Sequence, residues 1–104
     1  MSAITVPDEL LAEAKNFLDI TWTDEDSDRK LMGQIKRGIA FISAKTGVDT
    51  SALAEDYRAQ ALLFNYLMYD RAGSVDQFET NYRSEIIALH RRWEVEQYAA
   101  KAEG

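Results

Sequence analysis

The sequence predicts an all-α fold, a compact bundle of about four helices with short connections and no sheet. Three observations carry this. Val75, Phe78, Tyr82, Ile86, Leu89 and Trp93 recur at spacings of three or four, the period of one helix face. Leu31, Ile35, Ile39 and Ile42 do the same upstream. The stretch Ala61–Tyr69 is apolar nearly all round, which suits a helix surrounded on several sides.

Pro7 and Asp8 open the first helix. Proline is tolerated at the first helical position, where its missing N–H would be unpaired anyway. Leu10, Leu11, Ala14, Phe17 and Leu18 then share a face. Asp19–Thr23 reads as a connector, with a short extended segment where Ile20 and Trp22 alternate with polar residues. The second helix begins near Asp24–Ser27 and stops at Thr46, because Gly47 suits a left-handed cap. Gly33 and Gly38 inside it each cost roughly 1 kcal/mol against Ala, a cost best tolerated where another helix approaches closely.

Val48–Leu53 reads as a turn with room for a short helical piece. The third helix is predicted from about Glu55 to Arg71. Its apolar centre makes it either the middle of the bundle or a surface covered by another subunit. Gly73 ends it, and Ser74 starts the fourth, with Gln77 at capping-box spacing. Beyond Trp93 the chain is polar and Ala-rich. Residues 1–6 and 101–104 are expected to be disordered, and the 104 residues fit one domain.

Composition narrows the function. There is no cysteine, so disulfides, thiolate catalysis and cysteine zinc sites are excluded. The opening MSAITVPDELL lacks the basic and apolar regions of a signal peptide. The longest apolar stretch is far short of the roughly 20 residues that cross a bilayer, so a soluble chain is expected. The formal net charge of −6 opposes non-specific nucleic-acid binding, and His90–Arg92 is the only dense basic patch.

No motif for catalysis stands out. Asp24, Glu25, Asp26 and Asp28 begin like a calcium loop, but Arg29 and Ile35 occupy the positions that need Gly and Glu. Carboxylates at a helix N-terminus are the preferred reading. His90 has no ligand or acidic partner among its immediate neighbours, so a helix-surface or interface role is preferred to a metal site. The five tyrosines read as core or interface, because a base-stacking groove also needs interleaved basic residues. Arg92 and Glu96 suit an ion pair on an exposed helix. There is no Gly-rich phosphate loop, nucleophile elbow or HExxH. The expectation is a non-enzyme with no cofactor and no metal.

Three segments carry a family resemblance: FLDITWTDEDSDRKL, IKRGIAFISAKTG and LLFNYLMYDRAGSVDQFETNYRSEIIAL. In this order they resemble the small head–tail connector (adaptor) proteins of long-tailed bacteriophages and prophages, particularly of Gram-positive hosts. The C-terminal HRRWEVEQYAAKAEG is longer and more charged than that pattern. The resemblance implies an all-α structural virion protein without catalytic residues. It implies a ring of twelve subunits beneath the portal, which extends the DNA channel and receives a tail or stopper protein. It further implies location at the head–tail junction of the virion, and in the host cytoplasm during assembly. Such rings often need a template, so an isolated monomer is compatible with it. The apolar third helix agrees with contacts between neighbouring subunits, and an acidic protein suits a DNA channel. The alternative is a small cytosolic helical adaptor or regulator that binds another protein through its third or fourth helix. Trp22, Asp24, Glu25, Asp26 and Asp28, with Arg91, Arg92, Trp93 and Tyr98, are the candidate partner-interface residues, because they combine charge with large aromatics.

Overall fold

Residues 4–21 and 24–103 are described by the structure, a computed structural model. Six helices follow in order: α1 Asp8–Phe17, α2 Glu25–Thr46, α3 Thr50–Glu55, α4 Tyr57–Arg71, α5 Val75–Asn81 and α6 Arg83–Glu103. No strand occurs among the described residues. No described helix is long and apolar enough to cross a membrane. The all-α prediction holds; the expectation of about four helices does not.

The two extra helices have separate causes. The short helical piece allowed for in Val48–Leu53 forms as a six-residue helix, α3, which runs on to Glu55. Asp56 then interrupts the chain in an extended conformation, and its carboxylate accepts a 2.8 Å bond from the Arg58 N–H. The third long helix therefore starts at Tyr57 and not at Glu55. The fourth predicted helix divides at Tyr82 (φ −111°, ψ 20°). Backbone bonds from Tyr82 to Phe78 and from Ile86 to Tyr82 span the division, so it is a bend. It follows Thr80 and Asn81, both weak helix formers. Asn81 donates to the Tyr69 hydroxyl at 3.2 Å, and the Tyr82 ring stacks on Phe78 at 5.1 Å.

Helix ends are closed by local chemistry. Gly47 and Gly73 take positive φ, as their stop positions require. After Gly73, the Ser74 N–H returns to Tyr69 O at 2.7 Å and the Gly73 N–H to Asp70 O at 3.1 Å, the paired bonds of a Schellman end. Asp19 performs the same task for α1 at φ 62°, with Ile20 N–H bonded to Lys15 O at 2.8 Å. The expected capping box at Ser74 does not form. The Ser74 backbone is not extended (φ −125°, ψ 36°), and its hydroxyl turns back to the Ala72 carbonyl.

One core joins all the helices. Leu31, Ile35, Ile39 and Ile42 of α2 are buried, as are Leu10 and Ala14 of α1 and Ile86 and Leu89 of α6. Phe78 is completely buried, with its ring edge-on to Tyr66 at 5.5 Å. Burying side chains of this size stabilises by roughly 1.5–3 kcal/mol each. α4 is the middle of the bundle: Leu62, Leu63, Phe64, Tyr66 and Leu67 are all buried within the one chain. Its apolar character is therefore satisfied internally and does not call for a neighbour, which removes one argument for a ring. Gly38 lets α2 approach α4, whereas a Cβ at Gly33 would meet only the end of Arg37 at 4.0 Å. Residues 1–6 and 101–104 were expected to be loose. Val6 is buried against the core and Ile4 packs on it, while α6 runs to Glu103. Residues 1–3 and 104 lie outside the described residues.

Candidate interaction surface

Most of the acidic start of α2 has partners within the chain. Asp24 is the N-cap, and one of its oxygens accepts from the Ser27 N–H at 3.3 Å and the Ser27 hydroxyl at 3.1 Å. Asp26 pairs with Arg29 at 3.3 Å and Asp28 with Lys15 of α1 at 2.5 Å. Glu25 is exposed in the first turn, where the helix dipole favours its charge. Three of the four carboxylates thus have separate partners within the chain. Trp22 lies outside the described residues. Among the described residues, no three His, Asp or Glu side chains converge as metal ligands would.

The other proposed surface, Arg91–Tyr98, divides by helix face. Trp93 is half-buried and packs on the core. Arg92 turns toward the α3–α4 junction, reaching Asp56 at 3.3 Å and Glu96 at 3.9 Å. Arg58 completes the set, 3.1 Å from Glu96 and 3.5 Å from Asp56. Two carboxylates and two guanidiniums thereby tie the start of α4 to the later part of α6. Burial pushes the Asp56 carboxyl up, but the Arg58 N–H and the charges of Arg58 and Arg92 outweigh it. The net result lies below the ordinary 3.8.

The expected Arg92–Glu96 pair is present, but it is part of a larger network whose other half was not foreseen. The available signal was Asp56 followed by Arg58, an N-cap residue just before an apolar run. Placing the helix start at Glu55 hid it.

His90 is also engaged. Its Nδ1 is 2.7 Å from the Thr46 carbonyl at the end of α2, and its Nε2 is 3.0 Å from Glu94. The acidic partner missing from its immediate neighbours lies one helical turn on. Thr46 is buried; its hydroxyl donates to Ile42 O at 2.7 Å and accepts from the Val48 N–H at 3.2 Å.

Arg91, Val95 and Tyr98 are exposed. From Glu94 to Lys101 every side chain of α6 is exposed. Of the hollows, one of about 260 Å³ lies between α4 and α6, floored by Leu62 and Leu89 and edged by Arg58, Asn65, Glu85 and Arg92. A larger open depression of about 740 Å³ lies between α1 and the α3–α4 junction, edged by Glu9, Glu13, Glu55 and Tyr57. The arrangement offers charge pairing and surface contact.

No family model matches the chain, and no curated protein or solved structure is significantly similar to it.

Proposed function

We propose that this chain is a structural subunit of a phage head–tail connector. It joins the portal at the capsid vertex to a tail or stopper protein, as one member of a ring that extends the DNA channel. The observation that carries the reading is the order of the three segments quoted above, from Phe17 to Leu89. What supports it structurally is coarser: an all-α body whose last helix continues past the core, exposed from Glu94 to Lys101. Such a segment suits a protein that works by contact. The subunit acts in the virion and reaches it from the host cytoplasm. It carries no catalytic residue, cofactor or metal in this reading.

A second reading is a small cytosolic helical adaptor that binds another protein through its last helix. The exposure of Ile87, Val95 and Tyr98 on α6 favours it.

One experiment separates the two. The purified protein is mixed with the portal protein encoded nearby, and the product is measured by native mass spectrometry and negative-stain microscopy. A discrete ring stacked on the portal is the expected result. Absence of binding at micromolar concentrations, with both proteins folded, rejects the connector and leaves the adaptor.

A further inference from the structure

Helix α6 has two stripes on opposite sides. The inward one, Ile86, Leu89 and Trp93, packs on the core. The outward one is Ile87, Arg91, Val95 and Tyr98, at spacings of four, four and three, which keeps them on one side of a helix. Its three apolar members are 43%, 67% and 78% exposed. Arg91 interrupts them. Among the described residues it forms no ion pair, whereas Arg92 beside it is held by Asp56 and Glu96. Glu94 borders the same stripe, three residues after Arg91 and four before Tyr98.

We infer that this outward face of α6 docks a second copy of itself, laid antiparallel about a two-fold axis midway between Arg91 and Glu94. The argument is charge complementarity with a fixed register. An antiparallel overlay about that midpoint sets Arg91 against Glu94 of the partner subunit. Ile87 precedes Arg91 by four residues and Tyr98 follows Glu94 by four. The same overlay therefore sets Ile87 against Tyr98 of the partner subunit without adjustment. Each contact occurs twice, as an isologous interface requires. A parallel overlay would set Arg91 against Arg91 of the partner subunit.

The contact is one helix deep. It falls below the roughly 1,200 Å² of a standard interface, so the dimer is weak, with a Kd on the order of 10–100 µM. It needs only this chain, so it is tested apart from the connector role, and either can fail alone.

The wild-type protein is measured by sedimentation equilibrium and native mass spectrometry from roughly 5 to 500 µM, a range that brackets that Kd. A dimer that grows with concentration is expected. Arg91→Glu sets glutamate against glutamate twice, and Glu94→Arg sets arginine against arginine twice, so each variant alone is expected to be monomeric. Mixed in equal amounts they restore both opposite-charge contacts, and a heterodimer of the summed mass is expected. Glu94 also meets His90, so circular dichroism and Tm check the fold of each variant. Ile87→Ser, which leaves every ion pair in place, is expected to weaken the wild-type dimer at least tenfold.

A wild-type chain that stays monomeric throughout overturns the inference, as does a mixture that forms no heterodimer. A face protected only when portal is added would assign it to the portal and overturn the inference too.

Discussion

Tyr66 lies directly against the backbone of Gly38. A Cβ built at residue 38 would stand 2.8 Å from Tyr66 Cδ1 and 2.7 Å from Leu63 Cδ1, closer than carbon atoms tolerate. Tyr66 is buried and also packs on Phe41 and Phe78, so its ring has nowhere to retreat. The absent side chain is what allows α2 and α4 to share one core.

Gly38→Ala is therefore expected to destabilise by about 1–3 kcal/mol, the usual range for overpacking, despite the gain in helix propensity. Gly33→Ala, in the same helix, meets nothing nearer than the end of Arg37 at 4.0 Å. It is expected to stabilise by up to about 1 kcal/mol. Urea unfolding of the two variants checks the opposite signs.

Thr46→Val keeps the volume and removes the hydroxyl that Val48 N–H relies on. A buried donor left without a partner costs about 1–3 kcal/mol. Thr46→Ser keeps the hydroxyl and is expected to recover most of the loss. Amide hydrogen exchange at Val48, measured by NMR, is expected to accelerate in the valine variant and not in the serine one.

Asp56 has a carboxyl held below its ordinary 3.8. A depressed acid contributes stability that is present above the unfolded pKa and is lost as pH falls through the folded one. For Asp56 the loss occurs below pH 3.8. Asp56→Ala removes the cap and is expected to cost about 1 kcal/mol at neutral pH. Asp56→Asn keeps an acceptor oxygen, costs less, and flattens the acid limb of stability. Denaturant titrations at pH 7 and at several points below pH 4 test both claims.

Asp19 sits at φ 62°, where a side chain costs roughly 1 kcal/mol or more against Gly. Asp19→Gly is expected to raise stability by up to about 1 kcal/mol with α1 unchanged, read as a higher Tm. An unchanged or lower Tm would mean that the aspartate side chain offsets its own strain.

The long-period features of this fold were legible because they repeat. The stripe from Val75 to Trp93 faces inward along its whole length, and Gly47 and Gly73 stop helices where expected. Asp24 caps α2 as its position suggests. α3 was legible only as room for a short helical piece, because six residues hold fewer than two turns, too few for a period. The bend at Tyr82 has no Gly or Pro to announce it; only the weak helix formers Thr80 and Asn81 precede it, and the Asn81–Tyr69 bond beside it joins residues 12 apart. Of the candidate surface, Arg91 and Tyr98 are exposed, while Asp24, Asp26, Asp28 and Arg92 also have partners within the chain. The Asp56–Arg92 pair spans 36 positions, beyond the reach of spacing arguments.

The placement of α6 against α2 bears on how the chain comes to be folded. Ile42 and Thr46 at the end of α2 are enclosed, and His90 of α6, the last of the described helices to be translated, stands 2.7 Å from the Thr46 carbonyl. A nascent chain halted before Ile86 keeps that seam open to water. Burial of that end of α2 is therefore completed only once α6 has been made.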